Sequence, residues 1–68
     1  MANHVLKVIE VLSESSDSYE DAIRNAVETT SKSVRNIKSV YVNEQSATIK
    51  DGTVDKYRVN LKISFQVD

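Results

Sequence analysis

The sequence predicts an α+β fold of order β-α-β-β, a three-stranded antiparallel sheet wrapped around one amphipathic helix. Three observations carry this expectation. From Asp55 to Val67 the chain alternates: Tyr57, Val59, Leu61, Ile63, Phe65 and Val67 are apolar or aromatic, whereas Lys56, Arg58, Asn60, Lys62, Ser64 and Gln66 are polar. That period of two marks a strand with one face in a core and one face in a wetter place. Asp51-Gly52 just upstream is a pair favoured in a two-residue type I′ hairpin turn. Between Tyr19 and Val34 the apolar residues instead recur at helical spacing.

The elements follow in chain order. His4 to Leu12 is rich in β-branched residues (Val5, Val8, Ile9 and Val11) and has apolar residues on both faces. It reads as a first strand, buried more evenly than the last one. Ser13 to Ser18 is a turn and helix start. Ser16, Asp17 and Ser18 all suit an N-cap, and Ser18 with Asp21 three residues on resembles a capping box. Glu20 and Asp21 fall in the first turn, where the helix dipole favours carboxylates. Tyr19, Ala22, Ile23, Ala26, Val27 and Val34 make the apolar stripe, bridged by Thr30; Arg24, Asn25, Glu28, Ser31, Lys32 and Arg35 face away. A helix of about four to five turns fits this stripe at 3.6 residues per turn.

Ile37 to Lys50 reads as the second strand and Thr53 to Val67 as the third. The two-residue turn sets Lys50 opposite Thr53 and fixes the register beyond it. Val42 then faces Leu61 and Val40 faces Ile63 on the helix side. On the other side Ser39 meets Ser64, Tyr41 meets Lys62, Asn43 meets Asn60, and Gln45 meets Arg58. A bulge shifts such a register by one residue. One helix covers one face only. The second face is broad and partly polar, is expected to carry Tyr41 and Ile49, and has no segment of this chain to cover it.

Composition narrows the function. Sixty-eight residues make a single domain, 1–68. There is no cysteine, hence no disulfide framework and no thiolate metal site, and the proline count is zero with Gly52 the only glycine. The net charge of −1, with both signs scattered, argues against a nucleic-acid binder. No apolar run approaches the roughly 20 residues of a membrane span. Met1-Ala2-Asn3-His4 lacks the charged and apolar regions of a signal peptide, so a cytoplasmic protein is expected. No nucleophile–base pair, phosphate loop or metal cluster is legible, so no enzyme is expected. A domain this short buries only about 60% of its unfolded surface. Without disulfides or a metal, self-association is the expected remedy.

The chain resembles the dodecins, small β-α-β-β proteins that assemble into hollow dodecamers and commonly bind flavins. The resemblance runs from Leu6-Lys7-Val8-Ile9-Glu10 through Ser16-Asp17-Ser18-Tyr19-Glu20-Asp21-Ala22 and Val34-Arg35-Asn36-Ile37. It closes on Tyr57-Arg58-Val59-Asn60-Leu61-Lys62-Ile63-Ser64-Phe65. It implies a homo-oligomer, expected to be a dodecamer, that stores or buffers a small molecule at subunit contacts. The ligand it implies is a flavin: FMN, riboflavin or a degradation product. The family's flavin-stacking tryptophan falls on Ser39, and its flavin-pairing glutamine falls on Arg58. Serine offers no ring, and arginine only donates and carries a charge. Tyr41 is a ring that can stack on a ligand or on a neighbouring subunit, and Gln45 is an amide that can replace the one lost at position 58. Arg58 is either a ligand contact or half of an inter-subunit salt bridge, with Glu44 as one candidate partner. Relatives without the tryptophan resemble this chain too, and they imply the alternative, a flavin-free or calcium-binding assembly. Asp51 and Asp55 lack the ligand spacing of an EF-hand, and His4 has no partner for a metal site.

Overall fold

The computed structural model describes residues 3–67; Met1 and Ala2, part of the stretch read above for a leader, lie outside them. The elements are β1 (Val5–Ser15), α1 (Tyr19–Ser31), β2 (Ile37–Lys50) and β3 (Thr53–Val67). The sheet is antiparallel in the order β1-β3-β2, so the alternating strand is central and the other two are its edges. This is the expected β-α-β-β architecture. β2 and β3 have the expected bounds, because their alternation and the Asp51-Gly52 turn leave no latitude. Asp51 (φ 52) and Gly52 (φ 78) both lie in the left-handed region that a type I′ turn requires.

The helix-covered face holds the core. Val59, Leu61 and Ile63 of β3 are fully buried, as is Ala22 of α1, with Ala26 almost so. Val11, Tyr19, Ile23 and Val40 pack around them. Alanine on the inner stripe lets the helix approach the sheet, while Tyr19 meets Tyr57 edge to face, ring centroids 5.0 Å apart.

Two boundaries differ from the sequence reading. β1 runs three residues past Leu12, pairing Ser13 with Val59, Glu14 with Arg58 and Ser15 with Tyr57. The polar letters hide a strand that still alternates, with Ser15 buried on the inner face. α1 has thirteen residues and ends at Ser31, not near Val34. The run Thr29-Thr30-Ser31-Lys32-Ser33 has low helix propensity, and Ser31 Oγ turns back onto the Val27 carbonyl at 2.6 Å. The chain then turns through Asn36 at φ 62, where Asn36 accepts from the Gln66 amide at 3.0 Å.

The helix start is built differently from a capping box. Ser18 Oγ accepts from the Asp21 amide at 3.0 Å, as an N-cap should. The Asp21 carboxylate does not reach back to Ser18; it accepts from Ser15 Oγ at 2.7 Å and from Asn25 Nδ2 at 3.2 Å. Ser15 Oγ in turn accepts from the amides of Asp17 and Ser18. The end of β1 is therefore tied directly to the first turn of α1.

The first strand is not evenly buried. Its residues Leu6, Val8 and Leu12 lie on the face opposite the helix and are exposed. Tyr41 and Val42 of β2, and Ile49 and Val54 near the hairpin tip, are exposed as well.

Candidate functional site

The face opposite the helix is read from strand pairing, because directly opposed residues share a face. Along β3 its residues are Lys56, Arg58, Asn60, Lys62, Ser64 and Gln66. On β1 these face Glu14, Leu12, Glu10, Val8 and Leu6, starting from Arg58. On β2 the rows are Thr48 opposite Lys56, Ser46 opposite Arg58, Glu44 opposite Asn60, Tyr41 opposite Lys62 and Ser39 opposite Ser64.

This register corrects one expectation. The pairings of Val40, Val42, Tyr41 and Ser39 are as expected, but the register shifts between Val42 and Glu44 and again between Thr48 and Ile49. In the shifted stretch Gln45 lies opposite Val59 and Ser46 lies opposite Arg58. Gln45 therefore sits on the helix side of the sheet with Val59, and within one copy it is not beside Arg58 as expected. Beyond the second shift Ile49 pairs with Val54, the pairing that the two-residue turn predicts. Asn43 is the extra residue at the first shift, and its Nδ2 still donates to Asn60 Oδ1 at 3.1 Å.

Ser39 and Tyr41 are brought together. They are alternate residues of one strand on one face, and Ser39 Oγ is hydrogen-bonded to Ser64 Oγ across the sheet. Two small hydroxyl residues side by side leave a shallow step. The Tyr41 ring beside it is 61% exposed, with Lys62 opposite. The backbone here is held by strand pairing on the β3 side.

Arg58 is not brought to that step. It lies six residues along β3 from Ser64, roughly 20 Å at about 3.3 Å per residue. Its guanidinium is engaged within the chain. Nε donates to Glu14 Oε1 at 2.8 Å and Nη2 donates to the same oxygen. Lys56 Nζ stands 3.8 Å from Glu14 Oε2. Two cations thus share one carboxylate, and the hydrogen bond from Arg58 holds the Glu14 carboxyl below its ordinary range. The sequence does not announce Glu14 as a site residue, because Ser13 to Ser18 reads as a turn and helix start. Extending the alternation through Ser13-Glu14-Ser15 places it on the open face.

Among the described residues no group of His, Asp or Glu is arranged to hold a metal ion. No helix among them is long and apolar enough to cross a membrane. Every buried side-chain nitrogen or oxygen among them has a hydrogen-bond partner. The polar chemistry of this chain is therefore spread over a sheet face rather than gathered in a pocket.

The comparisons with known proteins agree with this architecture. The family model for Dodecin matches residues 5–68. Dodecin from Streptomyces coelicolor superimposes with a TM-score of 0.94 at 35% identity, covering 100% of this chain and 97% of that one. Dodecin from Streptomyces davaonensis gives 0.94 at 27% identity, with 98% of both chains covered. The calcium-chelating immunodominant antigen of Mycobacterium tuberculosis, a calcium dodecin, gives 0.83 at 34% identity, covering 94% of this chain and 91% of that one. No curated protein matches the sequence significantly. A family model spanning nearly the whole chain, and a shared fold at this identity, show that the chain belongs to the dodecin family.

Proposed function

We propose that this chain is a non-enzymatic, homo-oligomeric small-molecule binding protein whose open sheet face is closed by further copies, in a dodecameric assembly, and that the ligand is a planar aromatic molecule of the flavin type. The observation that carries the ligand is Tyr41. An exposed ring on a polar face beside the Ser39–Ser64 step is a stacking surface with room next to it. Offset aromatic stacking contributes about 0.5–1.5 kcal/mol beyond area burial, which a serine at position 39 cannot supply. Lys62 opposite Tyr41 adds a donor for a carbonyl or phosphate edge. Ser39 shapes the step, and Arg58 and Gln45 do not contribute from the same copy.

Titrating riboflavin and FMN with the protein tests this reading. Flavin fluorescence is expected to be quenched on binding, and Tyr41→Ala is expected to weaken binding about tenfold, the equivalent of 1.4 kcal/mol. Absence of quenching of either flavin by the wild-type protein overturns the flavin reading.

Likeness to the calcium dodecin supports a second reading, a calcium-stabilised assembly without flavin. No carboxylate cluster for such an ion exists within one copy among the described residues, so the ligands would come from several copies. An ion bound by the native assembly raises its melting temperature by mass action. An unchanged melting temperature between millimolar calcium and excess chelator rules this reading out.

A further inference from the structure

Among the described residues the open face carries six charged ones, and the chain satisfies them unevenly. Glu10 lies opposite Lys62 in the β1–β3 pairing, one charge of each sign. Glu14 takes both Arg58 and Lys56, leaving that corner with one positive charge in excess. Glu44 lies opposite Asn60 and makes no salt bridge or side-chain hydrogen bond among the described residues. Its nearest cations on this face, Arg58 and Lys62, are one diagonal step away, within reach of long side chains, yet neither makes a salt bridge to it. The face thus has an unmatched carboxylate on its β2 edge and an unmatched cation between β3 and β1.

The guanidinium makes the second end specific. Of its five N–H donors, two go to Glu14 Oε1, and its outer donors have no other partner among the described residues. Glu14 holds one edge of the guanidinium, which leaves its remaining donors for another acceptor. A carboxylate is the chemistry that fits them.

We infer that the occupant of this part of the open face is a second copy of the chain, docked so that Glu44 of each copy enters the Lys56–Arg58 corner of the other. The inference rests on the reading that the open face is closed by further copies, and adds which residues set the pairing. A two-fold relation satisfies both ends at once, because a self-complementary patch meets itself with each contact made twice. The exposed Leu12, on the β1 edge of the Asn60 row, adds apolar surface beside the charged groups.

The test uses the intact chain and its Glu44→Lys, Glu44→Gln and Glu44→Lys/Lys56→Glu variants. The readouts are light scattering after size exclusion, dissociation on dilution, and far-UV circular dichroism as a check of folding. Glu44 is exposed on an edge strand, so its replacement leaves the fold intact. The wild type is expected to assemble. Glu44→Lys is expected to raise the dissociation constant by on the order of tenfold or more, and Glu44→Gln by less. The double variant, with the charges exchanged, is expected to recover assembly. If the wild type assembles and Glu44→Lys assembles as tightly, or the double variant is no better than Glu44→Lys, the inference is wrong and the assembly reading stands. If the wild type runs as a single chain, both are wrong.

Discussion

Glu14 is the residue whose chemistry the structure defines most sharply. Its carboxyl is held below the ordinary range, first by the hydrogen bond from Arg58 and then by the charges of Arg58 and Lys56. A group with a depressed pKa in the folded state contributes stability that is present above its unfolded pKa and is lost as pH falls through the folded one. Urea denaturation is therefore expected to show stability declining on acidification through and below the ordinary glutamate range. Glu14→Gln is expected to flatten that part of the profile while leaving neutral-pH unfolding cooperative. A profile equally steep in the variant assigns the acid sensitivity to other carboxylates. The same residue marks a limit of sequence reading. Ser39 and Tyr41 were placed on the right face because strand periodicity and the hairpin turn are local signals. Arg58 was placed correctly too, but its intrachain partner was not foreseen, because Glu14 lies 44 residues away and its strand is written in serines.

At the level of elements, the strands were legible and the helix end was not. Alternation with a fixed turn leaves one register for β2 and β3 near the hairpin. It cannot reveal the compensating shifts at Asn43 and Asp55, which no turn residue announces, and so the fate of Gln45 was hidden. The helix stripe continues on paper to Val34, whereas hydroxyl residues with weak helix propensity end it at Ser31. Two substitutions probe these elements. Ser18→Ala removes the N-cap acceptor for the Asp21 amide and is expected to destabilise by about 1 kcal/mol. Gly52→Ala meets no atom within 4 Å of the added Cβ, so its cost is backbone conformation alone at φ +78, on the order of 1 kcal/mol. Both are measured by thermal or urea unfolding under conditions of fixed oligomeric state. A Gly52→Ala protein as stable as the parent shows that the turn relaxes to another type.

The whole molecule is extended and its own core is small. Its radius of gyration is 14.1 Å over extents of 55 × 20 × 14 Å, against about 11 Å for a compact domain of this length. The long β2–β3 hairpin projects beyond the helix, and among the described residues only Ala22, Ala26, Val59, Leu61 and Ile63 form the buried apolar core. Removing part of such a core has no reserve to draw on: Leu61→Ala, at a fully buried site, is expected to cost about 2–5 kcal/mol. That is a large fraction of the roughly 5–15 kcal/mol typical of folded domains. The exposed apolar residues Leu6, Val8, Leu12 and Tyr41 on the open face offer further burial to a covering copy in the proposed assembly. Folding and assembly are then one equilibrium, and mass action makes the melting temperature depend on protein concentration. Melting over a hundredfold range of concentration is expected to shift the midpoint upward at the concentrated end, with loss of the oligomer and of helical signal coinciding. Leu61→Ala is expected to lower the whole curve while keeping its slope with concentration, because it weakens the protomer core and leaves the contact between copies unchanged. A midpoint independent of concentration, together with a folded single chain at high dilution, shows instead that the short core suffices without partners.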